Sequence, residues 1–166
     1  MAKTSTFDIS STVDLQEVDN ALNQARKEIS QRFDFKGATA EIEFSKKDGT
    51  LTLLSDDEYK LTSLVDIVQS KLIKRGVPIR NLDYGDVETA FGGKARQTIT
   101  LVQGISTEKG KEIVKAIKAA GFKKVNAQIQ DEQVRVSSPS IDELQEVIAM
   151  LKKHDFELEL SFGNFR

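Results

Sequence analysis

The chain contains no cysteine and only one histidine, His154, in 166 residues. The first absence excludes disulfides, thiolate zinc sites and cysteine nucleophiles, and the second removes most histidine-based metal sites and catalytic triads. No stretch approaches the roughly 20 apolar residues of a membrane span. Met1-Ala2-Lys3-Thr4-Ser5-Thr6 leads into a polar helix and not into the apolar run of a secretory leader. The expectation is a cytoplasmic protein with no membrane partner. Nor is one sign of charge in excess: 24 Lys and Arg stand against 26 Asp and Glu, a net charge of -2. The molecule as a whole therefore has no general attraction for polyanions, and such a partner must be held by local basic clusters. What the sequence does have is 39% hydrophobic and 30% charged residues, enough for a packed core. Its length lies between one ordinary domain and two small ones.

Hydrophobic periodicity divides the chain into elements. Phe7-Asp8-Ile9 alternates as a strand, and Leu15, Val18, Leu22, Ala25 and Ile29 recur every three or four residues as an amphipathic helix. Asp14 suits its N-cap, with Glu17 completing a capping box. Ala40, Ile42 and Phe44 alternate with acids, Asp48-Gly49 offers a type I′ turn, and Thr50 to Leu54 alternates again, which predicts a hairpin. A second box over Ser55 to Glu58 precedes a helix on Leu61, Leu64, Val65, Val68 and Leu72, stopped by Gly76 and Pro78. A strand over Ile79 to Tyr84 closes the first half.

The second half repeats the order. Arg96 to Gln103 reads as a strand, and Ser106 caps a helix with Ile113, Val114 and Ile117 inward. Val125, Ala127 and Ile129 pair with Val134 and Val136 across an Asp131-Glu132 turn. Ser140 with Glu143 opens a helix on Ile141, Leu144, Val147, Ile148 and Leu151, and Phe156 to Phe162 alternates as a last strand. Each half is thus βαββαβ, and the fold expected is α+β: tandem ferredoxin-like two-layer sandwiches. The domains are residues 1–90 and 91–166, with Gly85 to Ala95 as the connector. The second helices align 80 residues apart, Leu61 with Ile141 and Val68 with Ile148. Ile42, Phe44, Leu51 and Leu53, and then Ile129, Val134, Val136 and Leu160, should face the helices.

Two clusters carry candidate chemistry. Lys111, Lys115 and Lys118 lie within about 60° of one another on their helix, and Lys123 and Lys124 extend this basic surface. It is either a solvated helix face or a contact surface for phosphates. Arg32-Phe33-Asp34-Phe35-Lys36-Gly37 mixes aromatics with cations where a helix gives way to a strand. A nucleotide needs a planar group for its base, cations for its phosphates and a glycine where backbone approaches closely. The other reading puts both phenylalanines in the core, Gly37 at a helix end and the cations in solvent. A third group, Lys71, Lys74, Arg75 and Arg80, suits a helix C-terminus equally well. Gly92-Gly93-Lys94 fails as a Walker A loop, because Glu88 and Ala95 stand where Gly and Ser or Thr are needed. Asp56-Asp57-Glu58 reads as helix capping and His154 as a helix-terminal residue, so no metal site, cofactor or catalytic set is expected. Outward strand positions such as Glu41, Glu43, Thr52, Gln128 and Arg135 offer no aromatic platform of the kind on which RNA-recognition modules stack bases.

Taken end to end, the chain resembles the bacterial YajQ family of nucleotide-binding proteins. The resemblance rests on Phe7-Asp8-Ile9 with Val13-Asp14, on Arg32 to Gly37, on Lys74-Arg75-Gly76 and on Gln103-Gly104-Ile105. It continues through Lys111 to Lys118, Val125 to Gln130, Val134-Arg135-Val136 and Phe162-Gly163-Asn164-Phe165-Arg166. It departs where relatives usually have a hairpin glycine and a basic residue before the last helix; here stand Asp131-Glu132-Gln133 and Ser138-Pro139-Ser140. The resemblance implies tandem RNP-like domains with exchanged N-terminal strands, and binding of a nucleotide, cyclic di-GMP in some members, or of RNA. The expected site has Arg32 and Lys36 on phosphate, Phe33 or Phe35 on a base and Gly37 beside them, in a monomer without enzymatic activity. The alternative is a protein-interaction adaptor whose basic surface meets an acidic partner.

Overall fold

In the computed structural model, which describes residues 3–166, the chain runs β1 (Ser5–Ser10), α1 (Leu15–Gln31), β2 (Ala40–Ser45), β3 (Thr50–Ser55), α2 (Glu58–Lys74) and β4 (Leu82–Tyr84). It continues with β5 (Glu88–Thr89), β6 (Ala95–Leu101), α3 (Thr107–Ala119), β7 (Asn126–Gln130), β8 (Gln133–Ser138), α4 (Ile141–Lys153) and β9 (Ser161–Gly163). Of the polar lead Met1 to Thr6, Met1 and Ala2 lie outside the described residues. Among the described residues no helix is long and apolar enough to cross a membrane.

The elements form two units, Val13–Val102 and a second made of the residues up to Thr12 with Gln103–Arg166. In the first, α1 and α2 cover an antiparallel sheet ordered β2-β3-β6-β4, with β5 also pairing β6. In the second, α3 and α4 cover a sheet ordered β7-β8-β1-β9. Both are ferredoxin-like, and their first strands are exchanged: β6 occupies the place β1 would fill, and β1 the place of β6. The register sets Phe7 opposite Val136 and Ile9 opposite Val134 in one sheet, and Leu51 opposite Ile99 in the other. Residues 90 and 91, the expected boundary, both lie in the Val13–Val102 unit, because the exchange carries β6 into that sheet.

The period-two pattern buries Ile42, Leu51, Leu53, Val134 and Val136 against the helices, with Phe44, Ile129 and Leu160 partly buried beside them. Helix periodicity buries Val18, Leu22 and Ala25 of α1 and Leu61, Leu64, Val68 and Leu72 of α2. The fully buried Leu and Val side chains among them each contribute about 1.5–3 kcal/mol.

Several local features differ from the sequence reading. Asp14 caps α1, accepting from Gln16 and Glu17 N–H at 3.0 and 3.3 Å, but the Glu17 carboxylate is held by Arg75 at 2.7 and 3.0 Å and does not turn back to close a box. Ser55 ends β3, buried, its hydroxyl donating to the Thr39 carbonyl; Asp57 caps α2 instead, accepting from Lys60 N–H at 2.7 Å. Pairing of Ser45 with Thr50 makes the first hairpin loop Lys46 to Gly49, closed by Gly49 N–H on the Ser45 carbonyl, so only Gly49 takes a positive φ. Ile79–Asn81 is a 3-10 turn, and β4 begins after it.

The last strand is only Ser161–Gly163: Phe156 and Leu158 are buried as expected, but Glu157 has a φ of 63°, which breaks the extended run. Gly85 to Ala95 is no free connector, since Gly85 N–H bonds the Thr98 carbonyl and β5 pairs β6. A Cβ on Gly85 would lie 2.9 Å from that carbonyl oxygen, so this position needs glycine for the backbone to stay on the sheet.

Candidate functional site

α1 stops where Arg32 turns extended, with φ -85° and ψ 131°. A single 3-10 turn, Phe33–Phe35, follows, and Gly37, at φ 75°, redirects the chain toward β2 in a conformation that a side chain would strain. The turn separates the two aromatics. Phe35 is 4% exposed and joins the core of the Val13–Val102 unit, whereas Phe33 is 88% exposed. Of the two rings expected to meet a base, only Phe33 presents a free face.

Arg32 is spoken for. Its Nε and Nη2 donate to Asp34 Oδ1 and Oδ2 at 2.9 and 2.8 Å, and Nη1 reaches Glu28 Oε2 at 3.4 Å. The Arg32 hydrogen bonds hold the Asp34 carboxyl below its ordinary value and raise the guanidinium above its own, so both are ionised at neutral pH. The guanidinium carbon lies 5.7 Å from the Phe35 ring centroid, and Lys60 Nζ lies 5.3 Å from it while donating to the Asp34 carbonyl. Lys36 is exposed and has no ion pair among the described residues.

Beside the turn opens a cleft of about 670 Å³ whose lining includes Arg26, Ser30, Arg32, Phe33, Lys36 and Gly37. Four of the five residues picked from the sequence thus share its wall with free atoms, and Phe35 contributes from beneath. Arg26, one helical turn before Ser30, also lines the cleft, and no motif in the sequence singles it out. Its Nη2 donates to the Ile42 carbonyl at 2.8 Å and Nη1 to Asn23 Oδ1 at 2.9 Å, which fixes the cation at the cleft.

The other cations divide into paired and unpaired. Lys71 bonds Glu28 at 3.0 Å and Arg75 takes Glu17 in a two-pronged pair, so these two brace α2 on α1, whereas Lys74 and Arg80 are exposed and make no ion pair among the described residues. Lys111, Lys115 and Lys118 on α3, with Lys123 and Lys124 after it, are exposed and make no ion pair among the described residues; they belong to the other unit. Asp56 accepts from Thr39 N–H and Asp57 caps α2, and no cluster of three metal-ligating side chains occurs among the described residues. His154 ends α4 with its ring 4.2 Å from that of Phe156. On the open face of the second unit's sheet, Asp8, 7% exposed, accepts from Arg135 Nε at 2.9 Å and from Asn164 Nδ2 at 2.6 Å. The Arg135 hydrogen bond holds its carboxyl below the usual range.

The profile of the family described as "Nucleotide-binding protein YajQ-like" matches residues 5–166. A protein named "Nucleotide-binding protein" from Geotalea uraniireducens is 55% identical over 160 residues, spanning 96% of this chain and 98% of its own. Another of that name from Trichlorobacter lovleyi is 53% identical over the same shares. A third, from Desulfitobacterium hafniense, is 51% identical over 166 residues and the whole of both chains.

Proposed function

The chain belongs to the YajQ-like family of nucleotide-binding proteins, and from that premise we propose that its nucleotide lies in the cleft at the end of α1. Phe33 stacks on the base; Lys36 and Arg26 face phosphate, and the Arg32 fork turns to it from Asp34. The observation that carries this is Phe33 itself, a large apolar ring 88% exposed beside three cations. An aromatic placed in water next to cations gains from a base what it lacks from the core. The ligand class is a nucleotide with accessible phosphates, cyclic di-GMP and short RNA included, and the chain acts as a cytoplasmic binding module. The charged groups lining the cleft are all cations, with Ser30 and Gln31 as neutral polar neighbours, a set suited to holding an anion.

The test is a calorimetric screen of cyclic dinucleotides, mononucleotides and short RNAs, repeated on Arg32→Ala and Arg32→Lys. Binding should weaken in the first and recover only partly in the second, because an ammonium cannot reproduce a two-pronged guanidinium contact. If Arg32→Ala binds every ligand as the parent does, the cleft assignment is wrong.

A further inference from the structure

The two sheets have four edges, β2 and β4 with β5 in one, β7 and β9 in the other. Three are blunted, as unpaired edges usually are. Along β4 and β5, residues 85–87 stand against only Gln97 and Thr98, a bulge that breaks the edge. β9 is three residues long and is followed by Asn164 at a φ of 54°. β7 has its helix seated on it, with Gly110 of α3 so close to Ile129 that a Cβ would come within 3.1 Å. β2 differs: it pairs with β3 in unbroken register over all six residues, and α1 stands off from its start to leave the 670 Å³ cleft.

The direction of its free backbone groups follows from the next strands. Leu101 N–H donates to the Gly49 carbonyl at 2.8 Å, so Leu51 and Leu53 turn their backbone groups to β6, while Thr50, Thr52 and Leu54 turn theirs to β2. Their partners there are Ser45, Glu43 and Glu41. Ala40, Ile42 and Phe44 therefore point N–H and C=O away from the sheet, and the Ile42 carbonyl accepts from outside, from Arg26 Nη2 at 2.8 Å. Two chemistries flank this edge. On the open face of the sheet Glu41 and Glu43 are exposed without an ion pair among the described residues, and Arg96 on that face is taken by Glu88 at 3.2 Å. On the helix side Ile29, Ala38 and Ala40 line the cleft.

We propose that the β2 edge takes up an extended segment of a partner protein as an added antiparallel strand, one in which Lys or Arg alternates with small apolar residues. Side chains of a strand alternate between faces, so the basic ones stand beside Glu41 and Glu43, where opposite charge is favoured, and the apolar ones enter the cleft side. An N–H of the added strand takes the Ile42 carbonyl from Arg26; main-chain bonds supply affinity and the alternation supplies specificity. The same acids count against a second copy of β2 as occupant, because antiparallel self-pairing sets Glu beside Glu. This inference goes beyond the nucleotide reading and does not rest on it.

The test titrates the full chain with a synthetic peptide of alternating Lys and Val, about seven residues long to match β2. Control peptides carry Glu in place of Lys, N-methyl groups on the Val residues, or N-methyl groups on the Lys residues. In an antiparallel pair the residues that exchange hydrogen bonds share a face, so the Val N–H groups meet Ala40, Ile42 and Phe44. N-methylation of Val should abolish binding and N-methylation of Lys should not, and the Glu peptide should bind about 10-fold more weakly or worse. Amide exchange should slow at Ala40, Ile42 and Phe44 and stay level at Glu41 and Glu43, which β3 already holds. Ala40→Pro removes one outward N–H at the start of an edge strand, where proline is tolerated, and should weaken the Lys peptide about 5-fold at an unchanged melting temperature. Glu41→Lys with Glu43→Lys should reverse the preference between the Lys and Glu peptides. Equal binding of those two peptides overturns the proposal, as does binding that survives N-methylation of Val, or protection that falls outside β2. A dimer of the chain that Ala40→Pro dissolves would put a second copy on the edge and overturn it as well. Nucleotide binding at the cleft fails by a different result, affinity that survives Phe33→Ala.

Discussion

Two phenylalanines two residues apart should respond in opposite ways to the same substitution. Phe35 is 4% exposed within the core of its unit, so Phe35→Ala removes a buried ring and leaves a cavity, at a cost of about 3–5 kcal/mol. For a unit of this size each kcal/mol moves the midpoint by about 4–8 °C, so the loss in melting temperature is roughly 12–40 °C. Phe33 is 88% exposed, so its truncation should change stability by no more than about 0.5 kcal/mol. Nucleotide binding should show the reverse: stacking on an aromatic is worth about 1–3 kcal/mol, which makes Phe33→Ala weaken affinity about 5–150-fold. Circular dichroism melts and titration calorimetry on the same two preparations read both quantities. Unchanged affinity in Phe33→Ala removes the base platform from the site. A melting temperature for Phe33→Ala as low as that of Phe35→Ala would mean that the ring is packed and not displayed.

Asp34→Ala should strengthen nucleotide binding in calorimetry by freeing the Arg32 fork, and should have no such effect in an Arg32→Ala background; weaker binding in the single variant would put Asp34 itself on the ligand. The lowered carboxyl of Asp8 gives a pH signature. A group with a depressed folded value contributes stability above the ordinary carboxylate range and loses it as pH falls through the folded value. Asp8→Asn should therefore melt lower than the parent at neutral pH, with the gap closing below about pH 4; a gap that stays constant into acid would show that the Arg135 pair contributes nothing.

The helices were legible because a buried stripe repeats every three or four residues, and Leu61, Leu64, Val68 and Leu72 need no distant information to be placed on one face. The strand pattern was equally plain, but not its partner: nothing in Phe7-Asp8-Ile9 says that it pairs with Arg135 and Val136 rather than with β3. The exchange came only from the resemblance. Capping was half visible, since Ser55 and Asp57 are both good caps and only the burial of Ser55 at the end of β3 decides between them. At the cleft, the motif falls on a single turn yet could not tell which ring of Phe33 and Phe35 turns inward, because a 3-10 turn places neighbours by a geometry that alternation does not predict. The pairing of Arg32 with Asp34 was present in the motif as an acid two residues on, and escaped because the motif was read for cations and rings alone.

The exchanged strand also sets an order of assembly as the chain leaves the ribosome. Val13–Val102 is continuous and holds its whole sheet, so it can close as soon as β6 has emerged. β1, made before it, has neighbours only in β8 and β9. From Ser10 to Gln133 about 120 residues must be added, roughly 6–25 s at ordinary rates of synthesis. Through that interval Phe7 and Ile9 sit on an unpaired strand, over its last part beside a finished unit in the sequence, with both edges open to any other chain. Nascent-chain crosslinking from position 7 or 9 would therefore report a long-lived client of the ribosome-associated chaperones, released only when the final strand is complete.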